Sequence, residues 1–177
     1  KKKWFEFREF YLNKKEFYSE WFDKQVDLLK GLSVEKANST FFPIPYSKGV
    51  ESFFSSLNGE YVKGIVSSGI SFVAEKIKND LKFNFQSSSN LEIKSGRFTG
   101  KGRINFDLYE KDKAILSLSE KYKINLEEIC YIGDAFNDIS AFEIVGLAVA
   151  FNPKESELEK KVDYVIYDFN DLKKILN

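Results

Sequence analysis

From Ser47 to the end of the chain, short apolar runs alternate with stretches patterned for helices, and this alternation leaves few folds open. The pattern predicts a helix over Gly49 to Leu57, the apolar run Val62 to Val66, the polar turn Ser67-Ser68-Gly69, and a helix from Ser71 to about Asn79. A helix from about Asp112 to Tyr122, a strand Ile129 to Ile132 and a helix after Asn137 follow. The strand Leu147 to Phe151, a short helix around Leu158, the strand Val162 to Ile166 and a last helix from Asp171 complete the series. Parallel strands cannot be joined by a tight turn, so strands that alternate with helices build βαβ units whose helices cover a parallel sheet. Between Phe83 and Phe106, short alternating segments flank Ser95-Gly96, which predicts a hairpin and a small antiparallel insert.

The N-terminal part is different. Phe17, Trp21, Phe22, Val26 and Leu29 recur at helical spacing as packing residues, with Gly31 placed to end the helix. Ser33-Val34-Glu35-Lys36 predicts a capped short helix, and Phe41-Phe42-Pro43-Ile44-Pro45 breaks it, a hinge between a helical part and the α/β part.

Hydrophobic residues make up 43% of the 177, enough for a packed core. Positive and negative side chains balance at 27 each, with arginine only at positions 8, 97 and 103. Nucleic-acid and membrane-surface partners, which need a basic excess, are therefore not expected. No apolar run approaches a membrane span, and the single Cys130 within an apolar stretch predicts a buried thiol in a reducing, cytoplasmic setting. There is no histidine, which excludes imidazole bases and His-bound zinc. There is no methionine either, and the chain opens at Lys1 amid helix-like sequence, so a natural N-terminal segment is expected to be missing.

Two predicted strand ends carry polar clusters, and in open α/β sheets ligands gather at the carboxyl ends of strands. Ser67-Ser68-Gly69 offers a hydroxyl, a glycine and the opening turn of a helix, a recipe for gripping a phosphate; it serves equally as a helix cap. In Tyr131-Ile132-Gly133-Asp134-Ala135-Phe136-Asn137-Asp138, carboxylate and amide oxygens crowd just past a strand. Such oxygens suit Mg²⁺, although Asp134 or Asn137 capping the next helix, with Asp138 suiting its first turn, explains them as well. Lys111, ahead of a helix, could neutralise a phosphoryl group or simply face solvent. Asp168-Phe169-Asn170-Asp171 is read as a cap and not a ligand set.

Taken in order, these stretches resemble the haloacid dehalogenase (HAD) superfamily, in its phosphoserine phosphatase-like branch. Ile65-Val66-Ser67-Ser68-Gly69 is similar to the second motif, Lys111 stands where the third-motif lysine does, and Gly133-Asp134-Ala135-Phe136-Asn137-Asp138 is similar to the GDxxND fourth motif. Gly146-Leu147-Ala148-Val149-Ala150-Phe151-Asn152-Pro153 resembles the strand that follows, and Leu28-Leu29-Lys30-Gly31-Leu32 resembles the cap. The resemblance implies an α/β fold: a Rossmann-like parallel sheet (HAD core) over 43–177, with the antiparallel insert, and a partial helical cap over 1–42. It also implies Mg²⁺-dependent hydrolysis of a small phosphorylated metabolite through an aspartyl-phosphate. Asp134 would then be a Mg²⁺ ligand with Asp138 supporting it from behind. Ser67 and Lys111 would hold phosphoryl oxygens, and Asn137 with the amides around Ser68 and Gly69 would fix the substrate phosphate.

The departures set further expectations. The first motif, DxDxT, which supplies the nucleophile on a central strand, does not occur in residues 1–177. Without that strand its two neighbours would expose unpaired backbone, and these 177 residues are expected to be inactive alone. A non-catalytic relative that keeps a phosphate and metal pocket is the alternative, and a phosphotransferase a weaker third. Gln25 stands where the branch's cap arginine reads the substrate carboxylate, which counts against phosphoserine itself. Ala135-Phe136 replaces the commoner Gly-x of the fourth motif.

Overall fold

The computed structural model describes residues 17–57 and 59–176. In chain order its elements are α1 (Tyr18–Asp27), α2 (Val34–Phe41), α3 (Val50–Ser56), β1 (Gly64–Ile70), α4 (Ser71–Asp80), β2 (Phe85–Lys94) and β3 (Arg97–Arg103). They continue with α5 (Lys111–Tyr122), β4 (Cys130–Gly133), α6 (Ile139–Phe142), β5 (Leu147–Phe151), α7 (Ser156–Glu159), β6 (Tyr164–Ile166) and α8 (Leu172–Ile175). The chain divides into two compact units. One holds the described residues up to Ile44 with Gly64–Asp80 and Asn84–Leu108; the other holds Pro45–Lys63, Leu81–Phe83 and the chain from Tyr109. Residues 1–16 of the proposed 1–42 cap lie outside the described residues.

In the first unit, α1 buries Tyr18, Phe22 and Val26, an i, i+4, i+8 stripe. Phe17, assigned to this stripe by its spacing, is 42% exposed because it precedes the helix and lies outside its phase; Tyr18 takes the inward position. Gly31, at φ 80°, turns the chain after α1 and donates its N–H to the Phe98 carbonyl at 2.9 Å. Ser33 caps α2, its hydroxyl accepting from the Lys36 amide at 3.1 Å. The helix stops at Phe41 because Pro43 forces Phe42 out of the helical region, to φ −118°, ψ 150°.

Strands β1 and β2 pair in parallel, Gly64 opposite Phe85 and Val66 opposite Ser87. The second half of β2 pairs antiparallel with β3 through a hairpin at Ser95 and Gly96, both with positive φ. The antiparallel insert is thus continuous with the parallel ladder: one ten-residue strand, β2, serves β1 with its first half and β3 with its second.

In the second unit, β4, β5 and β6 form a parallel ladder, with Gly133 opposite Ala150 and Phe151 opposite Ile166. The central strand β5 buries Ala148, Val149 and Ala150 in succession, as a strand covered on both faces must. Its core gathers Phe53, Val149, Ile166 and Leu172, with Phe54, Phe151 and Phe169 packed against them. Gly146 leads into β5 where a Cβ would overlap the Glu127 backbone, so only glycine fits this approach.

The α/β fold with parallel strands is as expected, and among the described residues its strands lie in two three-stranded sheets, ordered β1-β2-β3 and β4-β5-β6. Strands β1 and β4 each have one partner among the described residues, β2 and β5 respectively, and therefore lie at edges. No helix among the described residues is long and apolar enough to cross a membrane.

Candidate functional site

The second unit builds its polar cluster around Asp138, which is 2% exposed. Strand β4 ends at Gly133, a short turn over Phe136–Asp138 follows, and α6 starts at Ile139. The turn folds the Asp138 side chain back beneath the strand end. There Oδ2 accepts the amides of Asp134 at 3.0 Å and Ala135 at 3.1 Å. Oδ1 accepts the Lys111 ammonium at 2.5 Å and the Tyr131 hydroxyl at 2.7 Å. Four donors on one buried carboxylate offset the desolvation that would otherwise make a buried ion pair unfavourable. Burial and the adjacent Asp138 carboxylate push the Tyr131 phenol above its ordinary range, so it remains a proton donor.

Glycine at 133 is a packing requirement: a Cβ there would run into the Asp138 carboxyl group. Asp134 is exposed beyond the strand end, Asn137 is half-buried, and Phe136 is 44% exposed between them. Neither Asp134 nor Asn137 holds the capping position. The residue before the short turn is Ala135, whose amide Asp138 accepts from the third position of that turn, and the one before α6 is Asp138, which makes no side-chain cap bond to that helix. Lys111 is the first residue of α5 and 7% exposed, so it does not face solvent. Asp168, by contrast, is the cap its sequence suggests, accepting from the Asn170 amide at 2.9 Å with Lys48 at 3.1 Å.

The donor set can be weighed against Mg²⁺. Both oxygens of Asp138 are committed to protein donors, which leaves Asp134 as the carboxylate free to meet an ion. A single hard oxygen ligand fits Mg²⁺, which keeps waters and phosphate oxygens in its shell. It would not fit zinc, and no cluster of three or more His, Cys, Asp or Glu side chains occurs among the described residues.

In the first unit, Ser67, Ser68 and Gly69 lie within β1, where its ladder with β2 shifts register between Val66 and Ile70. Such an irregularity bends a strand and re-aims its backbone groups. The Ser67 hydroxyl accepts the Gly69 amide at 3.1 Å and retains its own O–H. The trio does not cap α4, since Ile70 separates it from Ser71. The Tyr18 hydroxyl, from α1, donates to the Ser68 carbonyl at 3.3 Å, and burial pushes that phenol up to about 12. Gln25, on the same helix, is half-buried.

Tyr18 and Tyr131 escaped the reading of the sequence. A signal existed for the second: a phenol inside an otherwise aliphatic strand, three residues before a carboxylate, needs a partner once buried.

The chain resembles known proteins in both sequence and fold. The family model of haloacid dehalogenase-like hydrolases matches residues 11–175. The phosphoserine phosphatase of Archaeoglobus fulgidus is 35% identical over 141 residues, which are 78% of this chain and 41% of that protein. That of Methanocaldococcus jannaschii is 34% identical over 156 residues, 86% of this chain and 72% of that protein. The chain therefore spans less than half of the first relative and most of the second. Among solved structures, an apo phosphoserine phosphatase matches with a TM-score of 0.79 at 30% identity, covering 92% of this chain and 83% of that one. A phosphoserine phosphatase described as a phospho-aspartyl intermediate analogue matches with a TM-score of 0.77 at 30% identity, covering 89% and 77%.

Proposed function

This chain belongs to the haloacid dehalogenase-like hydrolases, and we propose that it carries the phosphate- and metal-holding parts of a Mg²⁺-dependent phosphatase acting on a small phosphomonoester in the cytoplasm. The observation that carries the proposal is the division of labour between two carboxylates four residues apart. Asp138 is buried and saturated, while Asp134 is exposed on the loop that Asp138 holds.

Each role proposed here is the one the family resemblance implies, and the chemistry of the side chain supports it. Asp134 holds the cation. Lys111 has three ammonium donors, of which Asp138 takes one, and offers the others to phosphoryl oxygens. In its own unit, the Ser67 O–H, together with the amides around Ser68 and Gly69, binds phosphate oxygens where the β1 ladder opens. Asn137 donates its amide to the substrate phosphate. When bound, Mg²⁺ supplies the charge that neutralises the phosphoryl oxygens as the leaving oxygen departs. The rest of the catalysis is positioning, which these groups provide without histidine.

The proposal requires an aspartate nucleophile, and residues 1–177 contain no DxDxT run. An aspartyl-phosphate would form on such a carboxylate, and we expect residues 1–177 alone to bind phosphate without turnover. Phosphoserine is named for the relatives, but Gln25 cannot form the charged bidentate pair that would read a substrate carboxylate, which counts against phosphoserine itself.

The test is Mg²⁺-dependent hydrolysis of an aryl phosphate by the full-length gene product, alongside Asp134→Ala. Activity that needs Mg²⁺ and disappears in the variant is expected; undiminished activity in the variant overturns the site. The absence of a DxDxT run favours a second reading, a phosphate-binding regulatory protein. Phosphate binding without hydrolysis by the full-length product selects it.

A further inference from the structure

We propose that Tyr131 is a positioning residue for this site: its hydroxyl fixes the Asp138 carboxylate that ties Lys111 to the Asp134–Ala135 backbone. The inference rests on the phosphate-site reading above.

The argument begins with Asp138. A carboxylate turns easily about its last torsion, which has broad, two-fold wells. Here the turn must be stopped, because Oδ1 serves Lys111 while Oδ2 serves two amides of the metal-side loop. Lys111 is a poor stop. Its ammonium is a point charge on a flexible four-carbon stem and pairs with either oxygen equally well. The two amides belong to the very loop that has to be held.

Tyr131 is different in kind. Its ring is set by the β4 backbone, paired at this residue with Ala148 of β5. It is also held edge-on against Phe142, with centroids 5.6 Å apart and planes at 73°. The phenol therefore presents its O–H from a rigid plane, at 2.7 Å from Oδ1. A water could not take over this task in a site where Tyr131 is 8% and Asp138 2% exposed.

Were Tyr131 merely a core aromatic, phenylalanine would serve as well. The hydroxyl is what separates the two cases.

The experiment compares the wild-type chain with Tyr131→Phe and with Ile166→Val, a core trim two strands away that controls for lost stability. Hydrogen exchange of single amides and titration with inorganic phosphate in the presence of Mg²⁺ are read by NMR. In Tyr131→Phe, the Asp134 and Ala135 amides should exchange about tenfold faster, the scale set by one hydrogen bond, and phosphate affinity should fall by a similar factor. The Val149 and Ala150 amides should not change, and Ile166→Val should leave both the loop amides and phosphate affinity at wild-type values. Loop amides as protected in Tyr131→Phe as in wild type overturn the proposal. So does faster exchange with undiminished phosphate affinity, or the same loop opening in Ile166→Val. A wild-type chain that binds no phosphate overturns the phosphate-site reading and, with it, the claim that Tyr131 serves phosphate; the exchange data then still report whether Tyr131 holds the loop.

Discussion

Lys111 and Asp138 stand 27 positions apart and meet as a buried pair, Nζ to Oδ1 at 2.5 Å, with side chains 8% and 3% exposed. Removing either partner leaves the other charge buried, but the two truncations are not equivalent. Asp138→Ala strands an ammonium, a phenol and two amides; Lys111→Met leaves Asp138 with three of its four donors. Asp138→Ala is expected to cost about 3–5 kcal/mol, the usual penalty for breaking a buried pair, and Lys111→Met clearly less. Urea unfolding of the two variants measures the order, which reverses if Lys111 is the principal support of Asp138.

Asp134 should behave in the opposite way. Its carboxylate is exposed, and its backbone amide, not its side chain, is what Asp138 holds. Asp134→Asn should therefore leave stability within about 0.5 kcal/mol of wild type, as surface substitutions do. Mg²⁺ affinity, read by calorimetry, should fall by more than an order of magnitude, because an amide oxygen is a weaker ligand than a carboxylate. A variant that unfolds early would mean that Asp134 is structural.

Much of this was legible in the residues. The strand Leu147 to Phe151 is found as predicted, because an unbroken apolar run of small and branched side chains admits a doubly covered strand. The helix from Ser71 and the hairpin at Ser95-Gly96 were legible through periodicity and turn chemistry. What stayed hidden was non-local. Nothing in a ten-residue window shows that β2 would change partner halfway, since pairing is decided by the neighbours. The site divides in the same way. Asp134 and Asp138 are marked by type and spacing, whereas Tyr131 shows in the sequence only as a phenol in an apolar run, and its partner, seven residues on, is found by folding.

Gly133 offers a test of how tightly the loop is built. It is the last residue of β4, and a methyl group on it would occupy the space of the Asp138 carboxyl group. Strand and carboxylate cannot both keep their places in Gly133→Ala. The variant should lose about 1–3 kcal/mol, the cost of overpacking, and lose phosphate affinity out of proportion to Gly146→Ala, which crowds backbone on the other side of the same unit. Equal losses in binding would show that Gly133 matters for folding alone.

Alkaline pH should unfold this protein in a defined order. Burial, and after it the Asp163 carboxylate, raises the Cys130 thiol from 9.0 to about 11. Burial likewise raises the Tyr18 phenol from 10.0 to about 12, and Tyr131 moves in the same direction. In each case the folded state holds its proton more tightly than the unfolded chain does. The resulting stability is whole below the unfolded value and is lost as pH climbs through the folded one. Cys130 acts first, between pH 9 and about 11, and Tyr18 next, between 10 and about 12. The urea midpoint should therefore be flat from about pH 7 to 9 as far as these groups are concerned, and should fall above that. Cys130→Ala lowers the midpoint at every pH through lost packing, but its decline should begin about one pH unit later than in wild type, where Tyr18 takes over. Midpoints measured across this range in both proteins decide the matter: parallel curves would mean that Cys130 ionises as freely in the fold as in the unfolded chain.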